Sequence, residues 1–231
     1  MLRPEAEWLA RQLAALPFDQ LSPLLSLGSG VGQFRDGKQP WIEEQIYRPL
    51  ERRGVIVKHH EFAAADGVDI AGDLEDETFL ASLSAVGART VMCCNVLEHL
   101  ARRHILTAWL PKLVSVDGHL IVTVPHKFPY HADPIDTMYR PAVSDLAREF
   151  PDLELVRGEE VRCGTLVRYL MDAPDARQSI RKGVVTSLAR VGRRPRPGAA
   201  SAEARPKEGS GSLGYLVRQT AITCAVFRRI H

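Results

Sequence analysis

No stretch of this chain is apolar for long enough to cross a bilayer, and the opening segment from Met1 to Gln20 carries Glu5 and Glu7. Neither a membrane span nor a signal peptide is therefore expected, and the expected location is cytoplasmic. An excess of one charge is also missing. Thirty basic against 28 acidic side chains leave a formal charge of +2, which gives no footprint for nucleic acid. Cysteine is sparse: Cys93, Cys94, Cys163 and Cys224 include no CxxC pair. That excludes a disulfide framework or a zinc knuckle and leaves four reduced packing residues. What remains, at 45% hydrophobic and 25% charged over 231 residues, is enough for one sizeable core.

Strand-like and helix-like periods alternate through the first 160 residues, which predicts a parallel sheet covered on both faces. A helix over Pro4 to Ala15 opens the chain within an N-terminal helical segment 1–20. Strands are expected at Leu24 to Leu27, from Val55 to Val57, at Val68 to Ile70, at Thr90 to Asn95 and at His119 to Val124. Helices are expected near Asp76 to Ser84, after Asn95 and near Val143 to Phe150, and a further strand near Leu153 to Val156. Pro125, Pro129, Pro134 and Pro141 punctuate a stretch without period, so 125–141 reads as a long functional loop on the side where an acceptor would bind. The stretch 171–214 reads as a helical and flexible insertion before a last strand at Ala221 to Phe227, all within a single domain 1–231.

The chemistry gathers at strand ends. Leu24 to Leu27 breaks into Gly28-Ser29-Gly30-Val31-Gly32, where glycine permits positive φ and close ligand approach. A dinucleotide fingerprint wants a small residue at the sixth position, and Gln33 stands there, so a pyrophosphate ligand is disfavoured. Glu61 is placed to accept both hydroxyls of a ribose, with a solvated strand-end charge as the competing reading. Asp73 could accept an adenine amino group and Leu74 pack on the ring. His59 and His60 read as solvated, and His99 as a packing or hydrogen-bonding residue near the cofactor.

The glycine turn, Gly72-Asp73-Leu74, Asn95-Val96-Leu97-Glu98-His99 and Asp117-Gly118-His119-Leu120-Ile121-Val122-Thr123-Val124-Pro125 together resemble the class I S-adenosylmethionine-dependent methyltransferases over about Leu24 to Phe150. The run Pro129-Tyr130-His131-Ala132-Asp133-Pro134-Ile135-Asp136-Thr137 is similar to one in a bacterial subgroup often linked to sugar or cell-surface glycan biosynthesis. The resemblance implies a Rossmann-like, doubly wound α/β fold with a seven-stranded sheet, mostly parallel, with one antiparallel strand near the C-terminus. It implies S-adenosylmethionine as cofactor, bound by Gly28, Ser29, Gly30, Gly32, Glu61, Asp73, Leu74 and Asn95, while Arg35 and Gln39 just beyond the turn are candidates for its methionine carboxylate, with surface placement as the competing reading. Ser26 stands where the family often has an acidic residue.

The implied activity is methyl transfer to a small molecule or glycan precursor, at oxygen in first preference. A non-catalytic cofactor-binding partner or regulatory protein is the alternative. His131 is expected as base or acceptor-orienting group, Asp133 and Asp136 as its partners, and Arg140 as an anion ligand or loop lock. His131, Asp133 and Asp136 carry donor types that suit a divalent ion, but loop spacing alone does not build a site, and no metal is expected. Arg177 to Val191 and the basic residues up to Arg196 form a basic amphipathic stretch, for which peripheral membrane contact through 177–196 is one reading and packing on the domain the other.

Overall fold

The computed structural model describes residues 1–131, 135–168 and 217–230. The chain divides into two units, Met1–Cys163 with Thr220–His231, and Gly164–Gln219. Nearly all of the second lies outside the described residues, and with it the expected insertion 171–214, the membrane-contact stretch 177–196 and, in the loop, Asp133.

Helix α1 (Arg3–Ala15) starts with Pro4 in its first turn and buries Glu5, Ala6, Trp8, Leu9 and Leu13, the spacing of one helical face. Strand β1 (Leu24–Leu27) is buried along its whole length. Short α and π turns over Phe34–Lys38, Pro40–Ile42, Glu43–Tyr47 and Arg48–Arg52 return the chain to β2 (Val57–Glu61). Strand β3 (Ile70–Ala71) is only two residues long. Helix α2 (Glu77–Leu83) is capped by Asp76, whose carboxylate accepts from the backbone N–H groups of Thr78 and Phe79. Strand β4 (Thr90–Cys94), helix α3 (Arg103–Leu113), strand β5 (His119–Lys127) and helix α4 (Val143–Glu149) follow, and β6 (Leu153–Thr165) and β7 (Gln219–Arg229) complete the sheet.

The order is β3-β2-β1-β4-β5-β7-β6. Strands β1 to β5 pair in parallel, whereas β7 runs antiparallel to β5 with Val122 opposite Ala225. The main core lies under the central strands, where Leu25, Leu27, Val91, Cys93, Leu120 and Val122 meet Leu80, Leu106, Leu110 and Leu146. Several expected strands differ in their bounds, the third lying at Ile70–Ala71 rather than Val68 to Ile70. The second begins at Val57 and runs to Glu61, and β6 extends thirteen residues rather than four. β6 stands at the sheet edge and exposes most of its length, including Arg157, Glu159 and Glu160, so it has neither an apolar run nor an alternation to betray it. Strand β5 likewise extends through Lys127 into the stretch 125–141 expected as a loop.

Candidate active site

Chain order reverses at β1, because β2 and β3 lie to one side and β4 and β5 to the other. Such a switch point leaves an opening at the carboxyl ends of the strands, since the connections leave on opposite faces. Here the glycine turn enters it. Gly28 and Gly30 have φ of 58° and 78°, and a Cβ on Gly28 would stand 2.6 Å from Val96 Cγ2. Only glycine fits both the dihedral and the space.

Glu61, the last residue of β2, reaches back across the opening. Its Oε1 accepts the Gly30 N–H at 2.6 Å and its Oε2 the Phe62 N–H at 3.3 Å. His60, one residue earlier, ties the same turn to the end of β3. The Gly28 N–H points at its Nδ1 at 3.4 Å, and its Nε2 lies 3.1 Å from the Gly72 carbonyl. That pair of contacts requires the neutral tautomer protonated on Nε2. Burial pushes its pKa down, against the Gly72 carbonyl and Glu61, so the ring stays neutral. Both His59 and His60 are buried, at 8% and 1% exposure, which corrects the solvated reading: helical segments cover both faces of β2.

Arg35 is buried beneath the turn and holds it from below. Its guanidinium donates to the carbonyls of Gly30 and Gly67, to Ser29 Oγ at 3.4 Å, and through Nε to Glu43 at 3.2 Å. Gln39 is also buried and accepts from the Met1 amino group at 2.8 Å. Ser26 hydrogen-bonds Tyr47 across 2.8 Å, and burial raises the Tyr47 phenol. Beyond β3, Asp73 is exposed and its carboxylate accepts the Glu75 N–H, while Leu74 is buried. Asn95 follows β4 directly in the left-handed region, φ 53°, a conformation asparagine tolerates. Its side-chain amide donates to Glu5 Oε1 at 2.7 Å.

On the β4–β5 side, the loop is fastened by Asp136. One carboxylate oxygen accepts from Arg140 at 2.7 Å and from the His131 N–H at 3.0 Å, the other from Met138 N–H and again from Arg140. Burial alone would raise this carboxyl, but those four donors outweigh it and hold it below its ordinary value. His131 sits over this anchor with Nδ1 3.2 Å from the Pro129 carbonyl and 3.1 Å from Asp136. Thr137 bonds the Glu98 carbonyl through both its N–H and its hydroxyl. Glu98 itself is fully buried, and neither carboxyl oxygen has a hydrogen-bond partner among the described residues. Burial raises its pKa to about 8.

The solved structure of an S-adenosylmethionine-dependent methyltransferase from Anabaena variabilis superposes with a TM-score of 0.51, covering 96% of this chain and 82% of that one at 12% identity. The [4+2]-cyclase SpnF gives 0.50 over 99% and 81% at 11% identity. Phosphoethanolamine N-methyltransferase 2 of Haemonchus contortus, bound to phosphomonomethylethanolamine and S-adenosylhomocysteine, gives 0.50 at 9% identity, over 98% of this chain and 52% of that one. The fold is that of the S-adenosylmethionine-dependent methyltransferases. No protein-family model and no curated protein matches the sequence.

Within this methyltransferase fold, the sequence-predicted residues fall into two groups. Gly28, Ser29, Gly30, Gly32, Glu61 and Asn95 stand at the carboxyl ends of β1, β2 and β4, with Asp73 and Leu74 just past β3. His131 and Asp136 are brought to one another beyond β5. Arg35 and Gln39 are turned toward protein partners. Sequence reasoning missed Glu5, which shares the buried face of Trp8 and Leu9 at spacings of three and four; an acid on that stripe was the available signal. It also missed Glu98 as a buried carboxyl aimed at the loop. The four thiols are free, and burial raises those of Cys93, Cys94, Cys163 and Cys224. Among the described residues, no helix is long and apolar enough to cross a membrane.

Proposed function

We propose that this protein transfers a methyl group from S-adenosylmethionine to a hydroxyl of a small molecule or glycan precursor. The observation that carries the reading is the convergence of Glu61 on the glycine turn at the switch point, with Glu61 Oε1 2.6 Å from the Gly30 nitrogen. A carboxylate there can accept both ribose hydroxyls, and the turn leaves room for backbone approach. The absence of a small residue at Gln33 argues against a dinucleotide.

The sulfonium brings an already activated methyl group, so this chain has to align the acceptor and exclude water. Alignment of that kind is worth about 7–11 kcal/mol of barrier. The loop supports oxygen as the acceptor atom. His131 offers Nδ1 to Pro129 and Asp136, which leaves the Nε2 lone pair for an acceptor hydroxyl. Burial lowers its pKa, so the imidazole is neutral near pH 7 and able to orient or accept that proton. The Pro129-to-Thr137 run supports a sugar or glycan precursor as the acceptor class.

Calorimetry with S-adenosylmethionine, S-adenosylhomocysteine and NAD tests the cofactor half: the first two are expected to bind and NAD is not. A panel of hydroxyl-bearing glycan precursors tests the acceptor half, with His131→Ala lowering turnover and leaving S-adenosylhomocysteine affinity nearly unchanged. Failure of both adenosyl ligands to bind removes the proposal.

A further inference from the structure

We infer that Glu98, His99 and His131 form a binding site for a first-row divalent metal ion of the zinc or cobalt class, on the acceptor side of the cleft. One donor atom from each residue lies within 4.8 Å of the others. Glu98 Oε1 and His99 Nε2 are already 3.7 Å apart, and the His99 and His131 rings meet edge to face at 5.1 Å. Imidazole and carboxylate bonds to such an ion are about 2.0–2.2 Å, so three donors on one ion stand no more than about 4.2 Å apart. Binding would have to draw a pair standing at the full 4.8 Å together by at least about 0.6 Å.

Two further features distinguish this trio from a chance cluster. The first is tautomer control. His99 Nδ1 is 2.5 Å from the Ile135 carbonyl, and His131 Nδ1 faces the Pro129 carbonyl and Asp136. Each ring therefore places its N–H on a protein oxygen and keeps the Nε2 lone pair, the arrangement by which metal-binding histidines are oriented. The second is Glu98. A fully buried carboxyl whose two oxygens have no hydrogen-bond partner among the described residues is costly to leave so, and at 3.7 Å the His99 nitrogen is beyond hydrogen-bond reach. A cation between them accounts for that orphaned group. Arg140 does not compete, because its charge is spent on Asp136.

Two imidazoles and one carboxylate are a donor set for borderline divalent ions, and three protein ligands leave positions open. Given the methyl-transfer reading, on which this role rests, an open position on the ion would take the acceptor hydroxyl and raise its acidity, and with the ion bound His131 Nε2 would serve as its ligand in place of acting as base. The donors differ from the His131, Asp133 and Asp136 set suggested by loop spacing. Glu98 and His99 are consecutive residues of the 3-10 turn Leu97–His99 after β4, and the Thr137 bonds to the Glu98 carbonyl hold the loop that carries His131 against that turn.

The test is equilibrium dialysis of the full chain against Zn2+, with Co2+ titration read by visible d–d absorption. One ion per chain is expected. Glu98→Gln, which keeps shape, and His131→Ala, which lies on the loop, are each expected to weaken Zn2+ retention by more than the ~10–100-fold typical of an outer-shell change, and Asp136→Asn by about that range. Circular dichroism melts identify any variant that fails to fold. No Co2+ absorption from the wild-type chain, or retention unchanged in folded Glu98→Gln and His131→Ala, overturns the site. Calorimetry with S-adenosylhomocysteine on the same samples separates the two ideas: nucleoside binding without metal overturns the site alone, and metal without nucleoside binding overturns the methyl-transfer reading alone.

Discussion

Glu5 Oε1 accepts a hydrogen bond from the Asn95 side chain at 2.7 Å, joining residues ninety positions apart. The same oxygen accepts from the Thr123 hydroxyl at 2.6 Å, and the second carboxylate oxygen caps the Leu2 N–H. One fully buried acid in α1 thus clamps the ends of β4 and β5 together. Asn95, held in a left-handed conformation, has its side chain fixed by this helix.

Replacing Glu5 with alanine leaves the Asn95 amide and the Thr123 hydroxyl without their acceptor. The expected loss is about 2–4 kcal/mol in urea unfolding, the range for buried polar groups deprived of partners. Glu5→Gln should fall between that value and wild type, since one acceptor oxygen is retained. Equal stability of wild type and Glu5→Ala would mean that the clamp contributes nothing.

Glu61→Gln should weaken S-adenosylhomocysteine binding at least about tenfold, the scale of a lost charge-assisted hydrogen bond of 1.5–3 kcal/mol. A glutamine cannot accept with both side-chain atoms, so the second ribose hydroxyl loses its partner. The melting temperature should barely move, because among the described residues Glu61 bonds only the Gly30 and Phe62 N–H groups at a partly exposed strand end. Calorimetry beside a thermal melt checks both halves, and unchanged affinity would remove Glu61 from the nucleoside site.

Much of this architecture was legible in the chain. Leu24 to Leu27 with its glycine turn, the Thr90 strand and the His119 strand declare themselves because buried parallel strands are continuous apolar runs. Glu61 was legible from its place at a strand end. What escaped had no local signal. His59 and His60 look solvated beside Lys58 and Glu61, and become buried only once the 34–52 segment and α2 cover β2. The partners of Glu5 lie 90 and 118 residues away, and Thr137, which bonds the Glu98 carbonyl, lies 39 residues on. Contacts over such separations are set by the sheet order, which no window of sequence contains.

Gly28→Ala should destabilise the fold by about 2 kcal/mol. A left-handed φ costs a non-glycine residue about 1–2 kcal/mol, and the new methyl must also displace Val96 Cγ2 from 2.6 Å. For a chain of this size that corresponds to a fall of roughly 4–8 °C in melting temperature. Gly37 offers the control, since a Cβ there meets nothing within 4 Å and its φ is not in the left-handed region. Equal melting of the two alanine variants would contradict the strain assigned to the turn.

Acid should unfold this protein earlier than carboxylate protonation alone requires, because buried histidines resist charging. Burial, with help from the nearby Arg35 and against Asp69, lowers the His59 pKa to about 4, and burial lowers that of His60 as well. Above pH 6.5 both the folded and unfolded forms of these rings are neutral, and their contribution to stability is complete. As pH falls from 6.5 toward 4 the unfolded chain takes up protons that the folded chain refuses, so stability declines, by up to about 1.4 kcal/mol per pH unit for each ring. Urea midpoints should therefore drop between pH 7 and pH 5. His59→Phe keeps the edge-on ring contact with Tyr47 and gives up no hydrogen bond of Nδ1, which has none among the described residues. That variant should flatten the slope by about one proton's worth over this window. A slope identical to wild type, or midpoints that rise on acidification, would show that His59 is not held neutral by its burial.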